Sequence, residues 1–239
     1  MAMPSTSIRR ALAAATPFAL GLALAPGLQG CSAIGPGTIT AGAPPYTVGS
    51  GVQTTERRAV GSYHAIAVST GVTVLVHRGE AGSASVTADD NLVDQVTTDV
   101  RDGMLYVGIA GGVRTAGNLK VEIANSALDS ISASSGSTVD AESLSGATLD
   151  VSASTGATVR GAGSAESLTL SASSGATADL RNVEVQSADV TVSTGATAHV
   201  HPTASVTGTC TVGATLLIRG HPARDDVSTD ATATTKEGQ

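Results

Sequence analysis

A short phrase recurs five times between Ser134 and Thr215. It reads Ser134-Ser135-Gly136-Ser137-Thr138, Ser154-Thr155-Gly156-Ala157-Thr158, Ser173-Ser174-Gly175-Ala176-Thr177, Ser193-Thr194-Gly195-Ala196-Thr197 and a worn copy, Thr211-Val212-Gly213-Ala214-Thr215. Its glycines step by 20, 19, 20 and 18 residues. A period of about twenty predicts a solenoid, in which each repeat is one coil stacked on the next.

Aligned on the glycine, the repeats resolve into columns. Three residues before it stand Ala133, Ala153, Ala172, Val192 and Cys210; five before, Ile131, Val151, Leu170, Val190 and Gly208. Three after stand Val139, Val159, Ala178, Ala198 and Leu216; five after, Ala141, Gly161, Leu180, Val200 and Ile218. Strand side chains alternate between faces, so these columns point one way, toward a core. A lone coil buries about four aliphatic groups, many of them Ala, too few to offset the entropy of ordering it. It must therefore stack on neighbours. The glycine is expected at the bend, where a positive φ costs it little.

The alternate columns face solvent. Two and four residues before the glycines stand Ser132 and Ser134, Ser152 and Ser154, Ser171 and Ser173, Thr191 and Ser193, then Thr209 and Thr211. This hydroxyl ladder is the candidate binding face, from Ser132 to Ser193; the plain alternative is a solvated sheet surface. Beyond the bend runs Asp140, Arg160, Asp179, His199, Leu217, whose alternating signs predict pairing between neighbouring coils.

Composition agrees with a thin core. Aromatic residues are 2% of the 239, Trp is absent, and charged residues are 14%. A compact globule usually centres on larger side chains. The formal charge of −7 argues against nucleic acid as a partner.

The N-terminus reads as a leader. Arg9 and Arg10 precede an apolar run from Ala11 to Ala25, interrupted by Pro17, which is short for a membrane span. It leads to Leu28-Gln29-Gly30-Cys31, which resembles a bacterial lipobox and implies cleavage before Cys31 and a lipid on its sulfur. The expected organisation is a lipoprotein signal peptide at 1–30, a flexible Gly- and Pro-rich linker at 31–50, a β-helical domain at 51–222 and a disordered tail at 223–239. Acyl chains on Cys31 would hold the protein to a membrane. In a two-membrane host Ser32 points to the outer one. Cys210, the other cysteine, then lacks a disulfide partner and is expected as a small buried apolar group.

Ahead of the repeats, Ile66, Val68, Gly71, Val74 and Val76 reproduce their spacing, so an outlying copy opens the domain. Ser83 to Ala88 reads as a strand, and Asp89-Asp90-Asn91 as a turn or cap. Val96 to Ile109 predicts a hairpin on Asp102-Gly103. Gly108 to Asn118 is a Gly-rich loop, and Leu119 to Ile123 an alternating strand.

Taken in order, Ala88-Asp89-Asp90-Asn91-Leu92, Val100-Arg101-Asp102-Gly103-Met104-Leu105, the repeated Ser-Ser/Thr-Gly-Ala and the closing Gly220-His221-Pro222 resemble the auto-transporter adhesin, head GIN domain family over about Gly49 to Pro222. The resemblance implies an all-β, right-handed parallel β-helix, a β-solenoid of coils of about 20 residues, on secreted or lipid-anchored envelope proteins. It implies no catalytic residues and no cofactor.

Chemistry is sparse elsewhere. His199 and His201 share a strand face with Asp179 one coil away, a possible metal set, but surface histidines in a charge ladder are the commoner arrangement. No metal is expected. Only Tyr46, Tyr63 and Tyr106 could offer aromatic faces to a sugar. A flat hydroxyl array also suits ice, although Ser outnumbers Thr here. The functional expectation is a non-catalytic envelope lipoprotein, an adhesin or surface-binding module. Its partners would be the membrane, through Cys31, and an envelope protein or glycan. The alternative is a glycan-modifying β-helix enzyme.

Overall fold

The structure is a computed structural model and describes residues 46–114, 117–125 and 127–238. The leader, Cys31 and the expected linker as far as residue 45 lie outside the described residues.

The chain forms a parallel β-solenoid. Along one side, Ala65–Val68, Ser130–Ala133 and the ends of Thr138–Ala153, Thr158–Ala172, Thr177–Val192 and Thr197–Cys210 stack in parallel. Beyond the bend, Thr73–His77, the starts of the same long strands and Thr215–Arg219 do likewise. The expected columns are in register: Ile66, Ile131, Val151, Leu170 and Val190 follow one another up the stack and are all buried. The Gly71 copy lies directly beneath the Gly136 coil although 65 residues separate the glycines.

The intervening residues build the lower end. Met104–Ile109 stacks in parallel under Ala65–Val68, and Lys120–Ala124 under Thr73–His77. This coil follows the Gly71 coil in sequence yet lies below it. Antiparallel strands then close the stack. Val96–Arg101 runs against Met104–Ile109, Ser83–Asp89 against Lys120–Ala124, and Gln53–Ala59 against Ser83–Asp89. The hairpin turns on Asp102 and Gly103, both at positive φ. The predicted Asx turn is a tie: Asn91 Nδ2 donates to the Val48 carbonyl at 2.8 Å, and its Oδ1 accepts from Ser50 N–H at 2.9 Å. A buried network fixes the crossing back into the stack. Asn125 Nδ2 donates to Tyr63 O at 2.8 Å, Tyr63 Oη donates to Ala124 O at 3.2 Å, and Ala127 N–H donates to Asn125 Oδ1 at 2.8 Å.

The bend is sharper than one glycine explains. The residue before each glycine is also left-handed, with φ between 50° and 63° at Thr70, Ser135, Thr155, Ser174, Thr194 and Val212. The residue after the glycine donates back three positions, as Ala157 N–H does to Ser154 O at 3.1 Å. Each repeat therefore makes a β-turn with two left-handed central residues, the type I′ pattern. The turns are also joined: Gly136 N–H donates to Thr155 O, Gly156 to Ser174 O, Gly175 to Thr194 O and Gly195 to Val212 O, all at 3.0 Å. That ladder offsets the strain of placing β-branched residues at positive φ.

Two boundaries differ from expectation. Tyr46–Val48, within the expected linker, forms a two-stranded sheet with Gly112–Arg114, itself inside the expected Gly-rich loop. The tail at 223–239, expected to be disordered, contains strands Arg224–Thr229 and Thr234–Gly238, which add another coil. Its repeat phrase is Asp230-Ala231-Thr232-Ala233-Thr234, with Thr232 where the glycine stood. The Asp230 carboxylate reinforces the turn, accepting from the N–H groups of Thr232 (2.9 Å) and Ala233 (2.9 Å), and from Val212 N–H (2.7 Å) in the coil below. The backbone bond of the other turns is kept, from Ala233 N–H to Asp230 O at 3.3 Å, and the side chain adds to it where no glycine stands.

Candidate functional site

Stacking places the candidate residues on one face. Ser132, Ser152, Ser171, Thr191 and Thr209 are register partners from coil to coil, and Ser228 continues the row. Ser134, Ser154, Ser173, Ser193 and Thr211 form a parallel row nearer the bend, half-buried because the turn leans over them. Successive members of a row lie about 4.8 Å apart, the spacing of adjacent strands.

A third row, six residues before the glycine, belongs to the same face and was not singled out from the sequence. It runs Ser130, Asp150, Thr169, Asp189, Thr207, Asp226. Acids alternate with hydroxyls, so like charges sit two coils apart. From the Gly136 coil to the last, the three rows offer eighteen positions: fourteen hydroxyls and four aspartates, Asp230 included. None is basic and none is large and apolar, so the face is a lattice of oxygen atoms with a mild negative charge.

Across the bend, the residue two after the glycine position is threonine in seven successive coils: Thr73, Thr138, Thr158, Thr177, Thr197, Thr215 and Thr234. The first six are half-buried, which makes this a structural seam of β-branched pairs at the corner.

The charged column is in register as expected, with Asp140, Arg160, Asp179 and His199 side by side. The ion pair of Asp179, however, runs along its own strand, to Arg181 Nε at 2.7 Å. Arg181 stands two residues on, on the same face, and reaches back. Burial disfavours the Asp179 charge, but the hydrogen bond and charge of Arg181 outweigh it and hold the carboxyl below its usual value. Burial, followed by the Arg181 charge, pushes the His199 imidazole down against the pull of Asp179. His199 is thus neutral at neutral pH. Among the described residues no three His, Cys, Asp or Glu side chains come together as a metal site. Cys210 is fully buried, its thiol pushed up chiefly by burial.

The three tyrosines have separate fates. Tyr63 is core, its phenol pushed up to about 12 by burial. Tyr46 lies on the small two-stranded sheet, with the Arg114 guanidinium 4.6 Å from its ring centroid. Tyr106 is exposed, in register with Ala67 and, through it, with Ser132. It therefore stands in line with the hydroxyl face, at its lower end.

Comparison with known proteins matches this architecture. The chain is similar in fold to a putative adhesin from Bacteroides fragilis, with a TM-score of 0.64 and 16% identity over 80% of this chain and 99% of that one. It is also similar to a putative adhesin from Parabacteroides merdae, with a TM-score of 0.52 and 19% identity over 82% of this chain and all of that one. No functionally curated protein matches the chain. The family described as putative auto-transporter adhesin, head GIN domain, matches residues 62–222, two thirds of the length, and the chain belongs to it.

Proposed function

We propose that this protein is a non-catalytic binding module of the cell envelope, anchored by lipid on Cys31, with the hydroxyl face as its contact surface. The observation that carries the reading is the unbroken oxygen lattice of the Ser132, Ser134 and Ser130 rows across six coils. A face of short hydroxyls orders little side-chain entropy when it meets a partner, and each hydroxyl both donates and accepts. The family's adhesin description and the lipobox-like Leu28 to Cys31 support the same placement. A glycoside hydrolase of the two-carboxylate kind would need one carboxyl held protonated as general acid. Asp179, in the charged column, instead has its ionised form favoured by Arg181.

Changing Ser152, Ser154, Ser171 and Ser173 together to Lys tests the face. The variant is expected to lose attachment to envelope preparations while keeping its circular dichroism; unchanged attachment would refute the contact surface. Cys31→Ser is expected to move the protein from the membrane to the soluble fraction. Hydrolysis of a glycan panel that disappears in Asp179→Asn would overturn the non-catalytic reading.

A further inference from the structure

The hydroxyl face is hollowed at its lower end. In the middle row, Ser132 is followed downward by Ala67 and then Tyr106. In the row beside it, Ser134 is followed by Ser69, and Gly108 comes next, so close that a Cβ there would lie 3.0 Å from Ser69 Oγ. Ala67 offers only a methyl and Gly108 only a hydrogen. The result is a depression of about 230 Å³, lined by Tyr106, Thr97, Ser69, Ser132 and Ser134 over a floor that includes Ala67.

Its chemistry is particular. Tyr106 is 44% exposed and is the aromatic ring on this face among the described residues. The Arg101 guanidinium lies 6.0 Å from the ring centroid, paired with Asp99 at 3.4 Å. The charges beside the ring thus neutralise each other, and the lining itself carries none. The lining joins the Tyr106 ring to hydroxyls that both donate and accept, with Ala67, Val68, Val107 and Gly108 between them. A pyranose presents the complementary surface, with a patch of C–H bonds on one side of the ring and hydroxyls around its rim. An apolar wall with a few convergent polar groups is the general form of a small-ligand site. A neutral lining favours an uncharged occupant, and the aspartates further up the face repel an anionic one.

We propose that this depression binds one neutral hexose residue of an envelope glycan, stacked on Tyr106 and hydrogen-bonded by Thr97, Ser69, Ser132 and Ser134. The hydroxyl rows above it would carry the sugars that follow. This rests on reading the face as a contact surface. It supplies the aromatic contact that the scarcity of tyrosines in the sequence argued against.

The test is titration of the folded protein with tetrasaccharides of glucose, mannose and N-acetylglucosamine, read by calorimetry and by saturation-transfer NMR. At least one is expected to bind and to transfer saturation from tyrosine ring protons. Tyr106→Ala is expected to weaken that binding about tenfold or more. Ala67→Leu, which fills the depression and leaves the ring in place, is expected to do the same, while Tyr46→Ala leaves binding unchanged. Circular dichroism checks that each variant is folded. No binding of any of the three sugars, or equal binding in Tyr106→Ala and Ala67→Leu, overturns the sugar site. The two readings separate in the envelope assay. Attachment lost in the Lys variant, kept in Tyr106→Ala and abolished by protease treatment of the envelope would keep the contact face and remove the sugar site.

Discussion

At its lower end the solenoid is closed by strands in antiparallel pairing, whereas the uppermost coil among the described residues is much like those beneath it. The lower closure uses three antiparallel strands and the buried Tyr63–Asn125 network. Arg58 reinforces it, donating to Val93 O at 2.7 Å and to Val96 O. The last upper coil pairs on one side only among the described residues, through Arg224–Thr229 and Thr234–Gly238. Its inward positions are modest: Val227 is half-buried, and Thr235 stands where Leu216 stands one coil below. At the lower end the reversed strands Ser83–Asp89 and Val96–Arg101 break the parallel run. The upper end relies on charge at its edge, in Arg224, Asp225 and Asp226, to discourage further parallel stacking. In a quasi-one-dimensional stack the ends can differ widely in stability, because each coil feels mainly its neighbours.

Four measurements sharpen this contrast. The largest effect is expected at the closed end, where Leu105 is fully buried under the cap. Leu105→Ala should cost about 2–5 kcal/mol in denaturant unfolding. The matching change at the open end, Val227→Ala, should cost about 1 kcal/mol or less, because that side chain is only half-buried. Equal losses would show that the ends are equivalent. Asn125→Ala should cost about 1–3 kcal/mol, since it removes the buried donor to the Tyr63 carbonyl. Asp230→Ala should leave the main transition in place and speed amide exchange at Val212, Thr232 and Ala233. If exchange there were unchanged, the aspartate would not be what reinforces the last turn.

The smallest expected effect is one of pH. Hydrogen bonds from the Val212 N–H, then from Thr232, lower the Asp230 pKa to about 2, from 3.8 unperturbed. A depressed pKa means that the folded state favours the charged form. The support is fully present above about 4 and is lost as pH falls toward 2. Exchange at the last coil should therefore rise over that window while the amides of Leu105 and Asn125 stay protected. Uniform exchange along the stack would contradict local fraying.

Much of this was legible because a solenoid writes its core as columns. The positions three and five residues from each glycine were enough to align Gly71 with Gly136 across 65 residues. The last coil escaped notice because the alignment was keyed on glycine, and Thr232 replaces it; the Ala233-Thr234 pair, 19 residues after Ala214-Thr215, was the surviving signal. Asp150, Asp189 and Asp226 stand six residues before the glycine position, outside the repeated hydroxyl phrase, so the phrase does not mark them. The place of Tyr106 was not readable at all. It depends on a coil that stacks out of sequence order, and nothing local to Met104–Ile109 specifies that it slides beneath Ala65–Val68. The bond from Asp179 to Arg181 rather than to a neighbouring coil was equally hidden, because a long side chain can reach either partner.

The constant register between coils also makes the face a ruler. Each coil adds one graduation of about 4.8 Å to every row. Duplicating a single repeat, such as residues 158–176, would lengthen the oxygen lattice by one step without disturbing either end. The length of the hydroxyl face can therefore be reset by copying sequence, with no new packing to invent, in whole strand spacings.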